Sequence, residues 1–183
     1  MYPYSIITII CISNICHVQI GHARAVFAIG GIMKTEEVRT FGSTKDKIRG
    51  LLQVAKNYVW MSSGLNSEFY NDPDVKRAMM ETFKRVKEVK ILIDGDAEET
   101  KSKVGWLFEE AKKFKGRIRI RQCERIPHWL IVDGKHFRLE KPHPIGALGV
   151  DNLVVYDIDP PVLSEGLIRR FDEWWNMGIK IDP

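Results

Sequence analysis

The chain of 183 residues is long enough for one domain of ordinary size, or for one domain with a short appendage. Hydrophobic residues make up 44% and charged residues 28%, which excludes a disordered chain, a collagen-like repeat and a polytopic membrane protein. The net charge of +4 is a mild basic excess that does not require a nucleic-acid partner. Because three cysteines cannot form a disulfide framework, we expect free thiols and a cytoplasmic location.

The distribution of charge divides the chain near Met33. Arg24 is the only formally charged residue in 1–32, whereas acidic and basic residues are dense and mixed from Met33 onward. Three interpretations of 1–32 stay open: a signal peptide, an extra strand or arm, and an upstream extension of a reading frame whose natural start is Met33. The segment is too interrupted by polar residues to span a membrane. We expect an apolar N-terminal extension over 1–32 and a domain over 33–183.

The first half of the domain alternates strands with helices. A short strand at 38–41 is followed by a helix that Ser43 caps, and residues 58–61 form a buried strand. Asp72, which proline follows, caps the second helix, and a third strand spans 89–93.

The second half adds a third helix, a hairpin and a closing helix. The third helix covers about 102–114, and strict alternation at 117–121 predicts a strand with one apolar and one basic face. The turn Asp133-Gly134 joins hairpin strands at 129–132 and 136–139. A strand at 150–156 and a helix that opens at Pro160-Pro161 complete the chain. This order predicts an α/β layered domain.

The densest polar cluster runs from Ile126 to His143 and resembles the signature of the phospholipase D superfamily. That signature is His-x-Lys-x-x-x-x-Asp, followed after a short spacer by Gly-Ser-x-Asn. The run LIVDG, which ends at Gly134, resembles the strand and turn of the family, and the resemblance extends over about 37–175. It implies a phospholipase D-like α/β fold with a central mixed sheet and helices on both faces. It also implies a distant similarity to the effector domain of TrmB-type archaeal regulators.

The cluster departs from the family signature at the catalytic positions. Alignment on Asp133 puts Ile126 at the position of the nucleophilic histidine and His128 at the position of the lysine. The last part of the signature falls on residues 140–143, so that His143 replaces the asparagine. Isoleucine has no lone pair and cannot form the phosphohistidine intermediate that the family uses. A histidine of ordinary pKa, about 6.5, replaces the charge of a lysine only when it is protonated.

We therefore expect no catalytic residue and a ligand-binding pocket formed by His128, Asp133, Lys141 and His143. Apart from the nucleophile, the substitutions replace polar groups by other polar groups, which is typical of a site that keeps its anion affinity. Phosphate or a phosphorylated ligand should bind weakly, and more tightly near about pH 6 than near about pH 8. No cofactor is expected, and the spacing of these residues matches no standard metal site.

Three functions remain open. The leading hypothesis is a non-catalytic sensor or regulatory module. The alternatives are a phosphodiesterase or nuclease that uses His128 and His143 across a homodimer, and a structural interaction module. Superfamily enzymes build one site from two motif copies and this chain has one, so the resemblance implies a homodimer, for which Trp174 and Trp175 supply further surface. The other expected partners are a phosphate-containing small molecule or nucleic acid, without a membrane span.

Overall fold

The computed structural model describes residues 7–12, 15–20, 23–28, 34–38, 40–141, 152–158 and 161–183. Its first three strands form a separate antiparallel sheet, with β1 (Ile7–Ile12), β2 (Ile15–Ile20) and β3 (Ala23–Ala28) in chain order. The apolar segment ahead of Met33 therefore supplies strands that pair with one another.

The remaining elements form an eight-stranded sheet with six helices. In chain order they are β4 (Lys34–Val38), α1 (Phe41–Val54), β5 (Tyr58–Ser63), α2 (Ser67–Tyr70), α3 (Pro73–Arg85), β6 (Glu88–Ile93), α4 (Ala97–Lys103), α5 (Gly105–Lys113), β7 (Ile118–Gln122), β8 (Trp129–Val132), β9 (His136–Glu140), β10 (Asn152–Tyr156), α6 (Pro161–Met177) and β11 (Ile179–Ile181). The strand order is β11-β7-β6-β5-β8-β9-β10-β4. Strands β5, β6 and β7 are parallel to one another and the other pairings are antiparallel, so the sheet is mixed.

Helices cover both faces of this sheet, and each face has its own apolar core. On one face α1, α3 and α5 bury residues such as Leu51, Phe83 and Phe108 against the strands. On the other face α6 buries Phe171 and its neighbours. Each fully buried phenylalanine contributes about 1.5–3 kcal/mol. The predicted fold class, a mixed central sheet with helices on both faces, is confirmed.

The start of the domain differs from the prediction by a few residues. The first strand of the large sheet is β4 rather than 38–41, because β4 pairs with β10 and ends at Val38. Thr40 caps α1, while Ser43 is the third helical residue and completes a reciprocal capping box with Thr40. The Ser43 hydroxyl, which the sequence assigns to the cap position, therefore lies in the first turn of α1 and accepts from the backbone amide of Thr40.

Two later predictions also need correction, and one strand was not predicted. The predicted third helix is two helices, because the backbone turns at fully buried Val104 between α4 and α5. Strand β11 was not predicted because three residues give too little alternation to recognise. Trp174 and Trp175 were assigned partly to an interface, but each is 5% exposed and belongs to the core under α6.

Candidate functional site

One edge of the large sheet gathers the polar residues of the predicted pocket. Strands β5 and β6 end at this edge, β8 begins there and β9 ends there, so Ser63, Asp94, His128 and Glu140 come together. We call these four residues and Arg138 of β9 the histidine edge. The carboxyl ends of parallel strands are the usual place for ligand sites in α/β sheets.

Ser62 fixes the backbone on both sides of His128. Its hydroxyl donates to the carbonyl of Pro127 at 2.6 Å and accepts from the amide of Trp129 at 2.9 Å. The residue between these two contacts is His128, whose carbonyl accepts from the amide of Glu140 at 3.0 Å. The backbone at His128 is therefore fixed by contacts to the strands on both sides of β8, β5 and β9.

Two carboxylates hold the His128 ring. The distance from Nε2 to Oδ2 of Asp94 is 3.1 Å, and the distance from Nδ1 to Oε2 of Glu140 is 3.4 Å. The other Asp94 oxygen accepts from the amide of Arg125 at 2.6 Å, and Arg138 donates to Glu140 Oε2 at 2.7 Å. The result is a continuous chain of alternating charges from Asp94 through His128 and Glu140 to Arg138.

These contacts give His128 an unusual pKa. Burial alone would lower it, because the side chain is only 16% exposed. The hydrogen bonds to Asp94 and Glu140, together with their negative charges, outweigh burial and raise the pKa of His128 from 6.5 to about 9. The ring is therefore an imidazolium at neutral pH. For His128 this moves the expected pH dependence of anion binding away from the interval between about pH 6 and about pH 8.

Tyr70 of α2 lies against this charged chain. Its hydroxyl donates to Ser63 Oγ at 3.0 Å, and burial raises its pKa above the ordinary value of 10.0. A neutral phenol beside the buried ion pair excludes water and strengthens the interaction between the charges. Helix α2 thus covers part of the histidine edge.

The position of the family nucleophile belongs to the apolar core. Ile126 is 7% exposed and packs in the same cluster as Trp129 and the tryptophans of α6. No lone pair is available at this position, and its surroundings favour an apolar side chain.

Asp133 lies beyond the far end of β8, at the opposite edge of the sheet from His128. Its carboxylate accepts from the backbone amides of Lys56, Asn57 and Tyr58, each at 2.8 Å. It ties the β8–β9 turn to the segment before β5, so the structure does not bring Asp133 to His128.

Lys141 is exposed and directly follows Glu140 at the histidine edge, whereas His143 lies outside the described residues. The structure therefore brings His128 together with the segment that carries Lys141. Among the described residues no group of three side chains is arranged to hold a metal ion, and no described helix is long and apolar enough to cross a membrane.

Sequence reasoning missed Asp94, Arg138 and Tyr70 as members of the site, and it read Glu140 only as a replaced glycine. Asp94 follows directly on β6, and an acidic residue at the carboxyl end of a parallel strand is a signal that could have revealed it. Tyr70 carries no such signal, because its place depends on how α2 folds back over the edge.

No family model matches this chain, and no curated protein matches it in sequence. Solved structures do match it. The archaeal chromatin protein TrmBL2, described as having a novel mode of DNA binding, aligns with a TM-score of 0.64 at 16% identity over 82% of this chain and 54% of its own. This chain thus spans about half the length of TrmBL2.

Two bacterial proteins match over nearly their whole length. Nuc from Salmonella typhimurium, a phospholipase D family member, has a TM-score of 0.63 at 18% identity over 82% of this chain and 99% of its own. NucT from Helicobacter pylori has a TM-score of 0.57 at 10% identity over 81% of this chain and 99% of its own. The chain therefore has a phospholipase D-like fold, which confirms the resemblance seen in the sequence at the level of the fold.

Proposed function

We propose that this chain is a non-catalytic phospholipase D-like domain that binds a phosphate-type anion at the histidine edge and acts as a regulatory module. The observation that carries the non-catalytic part of the proposal is the state of His128, whose two ring nitrogens are both held by carboxylates. The residue at the position of the nucleophile, Ile126, is buried in the core.

Both observations speak against the phosphodiesterase alternative. Attack on phosphorus requires a neutral imidazole with an available lone pair. With a pKa of about 9, His128 is protonated at neutral pH and lacks that lone pair. A general base also needs a pKa near the working pH, which the Asp94 and Glu140 contacts prevent.

The charge balance of the edge supports binding of an anion. His128, Arg138 and Lys141 are cationic when His128 is protonated, while Asp94 and Glu140 are anionic, so the cluster has one excess positive charge. The carboxylates lie against His128 and Arg138, and exposed Lys141 follows at the rim. His143, two residues further on, remains a proposed member of the site.

The regulatory role rests on likeness of fold. TrmBL2 is an archaeal chromatin protein that binds DNA, and this chain matches about half of it. A sensor domain of this fold would respond to its ligand without turning it over, in agreement with a site that has lost the nucleophile.

Inorganic phosphate and bis(4-nitrophenyl) phosphate test the proposal. Phosphate at millimolar concentration should raise the unfolding temperature and shift the amide signal of Lys141, since a ligand that binds only the folded state stabilises it. Lys141→Gln should abolish both effects. Lys180→Gln, which changes an exposed lysine of β11 outside this site, is the matched control and should leave them intact.

Two outcomes would overturn the proposal. Hydrolysis of the diester that is lost in His128→Gln would make the chain an enzyme. Equal loss of stabilisation in Lys141→Gln and Lys180→Gln would mean that phosphate binds without a site.

The homodimer remains a prediction that rests on the single motif copy, since the tryptophans once assigned to its interface are buried. Light scattering at micromolar concentration should report twice the chain mass of 21.1 kDa. A monomer over the whole concentration range would remove the expectation of a composite site.

A further inference from the structure

A row of lysines lies at the edge of the large sheet opposite the histidine edge. Lys56 precedes β5, Lys87 precedes β6, Lys115 precedes β7 and Lys135 occupies the turn between β8 and β9, and all four are exposed. We call these four residues the lysine edge. Because β7, β6, β5 and β8 are successive neighbours in the sheet, the lysines follow one another along this edge in the order Lys115, Lys87, Lys56 and Lys135. With about 4.8 Å between strands, the row is about 14 Å long.

Backbone contacts fix the positions from which these lysines project. The amide of Lys87 donates to the carbonyl of Asn57 at 2.7 Å, and the amide of Lys56 donates to Asp133 at 2.8 Å. The amide of Val89 donates to the carbonyl of Arg117 at 2.9 Å. The charges therefore stand on a rigid sheet edge.

Two exposed aspartates flank the lysine edge, and each is nearest to another cation. Asp182, whose pKa the charge of Lys115 helps to lower, is 2.8 Å from Lys180, and Asp157, beside the strand end at Lys135, is 3.9 Å from His136. Within the part of the chain that the structure describes, none of the four ammonium groups has a carboxylate within the ion-pair distance of 4.0 Å. Asp133, the acidic residue in their midst, accepts three backbone amides. Nearby Arg85 differs, because it donates to the carbonyls of Leu52 and Ala55 at the end of α1 and so stabilises that helix.

The positive surface continues along α3. A shallow groove of about 340 Å³ is lined by Pro73, Lys76, Arg77, Met80, Glu81 and Lys84. Its lining includes three cations and one acid, and Arg77 is paired with Asp74 at 2.5 Å. Lys84, near the end of α3, lies nearer the lysine edge. The guanidinium of Arg117 is 3.5 Å from the carbonyl of Lys84, which joins the groove to the start of β7.

We propose that the lysine edge and the α3 groove together bind the phosphate backbone of duplex nucleic acid without reading its base sequence. A duplex carries one negative charge per about 1.7 Å of its axis, so a row about 14 Å long meets more phosphates than it has lysines. Exposed lysines that form no ion pair within the described part of the protein lose only water and counterions when they contact phosphate. The site is distinct from the phosphate-type pocket, which lies at the opposite edge.

Other polyanions fit the surface less well. Peripheral membrane binding needs large apolar anchors beside the lysines. The exposed large hydrophobic residues of the described chain are Val54, Met177 and Ile179, of which only Val54 precedes this edge. Single strands require aromatic platforms for their bases. The aromatic side chains next to the row are occupied, since Tyr58 packs on Trp60 and Phe114 packs under Arg117.

The test measures binding of the full chain to a fluorescein-labelled duplex of about 20 base pairs by anisotropy, from about 50 to 200 mM KCl. Replacing Lys56, Lys87 and Lys115 together by Gln should weaken binding at least tenfold and reduce the log–log salt slope by about 2.7, or 0.9 for each lost phosphate contact. The matched control replaces Lys101, Lys103 and Lys180 by Gln, which removes the same charge elsewhere.

The other possible outcomes either overturn or support the proposal. Equal weakening in the two triple variants would overturn it, because attraction would then depend on net charge alone. Failure of the native chain to bind the duplex at about 50 mM KCl would overturn it too. Binding to phosphatidylserine vesicles but not to duplex would assign the surface to membranes. Restoration by Arg at the three positions, with an unchanged unfolding temperature, supports the proposal. The phosphate pocket is tested separately through Lys141→Gln, so either proposal can fail alone.

Discussion

The two edges of the large sheet use charged side chains in opposite ways. At the histidine edge the charges are partly or fully buried and alternate in sign, so that each has a partner. At the lysine edge four lysines are exposed, and the carboxylate of Asp133 between them accepts from backbone amides. Burial explains the difference, since a buried charge is costly without a partner while a solvated charge is not. Buried partners build the fold, and solvated charges remain available to another molecule.

The largest effect should follow from breaking the buried charge chain. Glu140→Gln keeps the shape but removes the charge that faces both His128 and Arg138, whose side chain is 7% exposed. Leaving an uncompensated buried charge should cost about 3 kcal/mol of unfolding free energy, measured in urea. Glu109→Gln, which removes an exposed partner of Lys112, is the control and should change the unfolding free energy far less, because water screens this pair. Equal small effects would show that the charges of the histidine edge are solvated as well as those of an exposed surface pair.

The next effect is a pH dependence of stability that arises at the histidine edge. The pKa of His128 is raised on folding from 6.5 to about 9, so the folded state binds the proton more tightly. The contribution is therefore complete below about pH 6.5 and is lost as the pH rises through about 9. We expect the native chain to lose about 2 kcal/mol between about pH 6.5 and pH 8.5 relative to His128→Gln. Parallel stability curves for the two proteins would contradict the account.

A smaller effect is expected from Asp133, the acidic residue between the lysines. Asp133→Ala leaves three amides without their acceptor, and two of the three hydrogen bonds are exposed, so water replaces part of the loss. We expect a loss of about 2 kcal/mol. Asp133→Asn should lose less, since it retains an oxygen and tolerates the positive φ of 52° at this position. An equal loss for Asn and Ala would mean that one retained oxygen does not hold the amides and that the full carboxylate is needed.

Removal of residues 1–32 should change least. Strands β1, β2 and β3 pair only with one another, whereas β4 begins at Lys34 and belongs to the large sheet. A chain that starts at Met33 should therefore unfold cooperatively, within about 1 kcal/mol of the full chain. A loss of several kcal/mol would show that this segment contributes to the core.

The sequence revealed the fold better than it revealed the site. The stripe of Val75, Met79 and Phe83 and the alternating strand at Arg117 have periods that follow directly from helix and strand geometry. The β8–β9 hairpin could be read from Asp133-Gly134, and both residues have positive φ. These features are local, and local patterns are what a sequence displays.

The site escaped because its members come from four separate strands and one short helix. Asp94 and Glu140 are 46 residues apart (94 and 140), and only the order of β6, β5, β8 and β9 brings them to the two sides of one ring. The alignment identified His128 by position, but it assumed an ordinary pKa, which two carboxylates change. Asp133 aligns with the aspartate of the family signature, and yet it lies at the opposite edge, where it holds backbone amides.

The protonation state of His128 tests the central claim most directly. The ring carbon and proton shifts of His128 can be followed by NMR from about pH 5 to pH 10, with His128→Gln to assign the signal. Because Asp94 and Glu140 hold the charged ring, the account predicts a midpoint near the value of about 9. A midpoint near the ordinary value of 6.5 would show that the carboxylates do not hold the charged ring. His128 would then be neutral at physiological pH and available as a nucleophile.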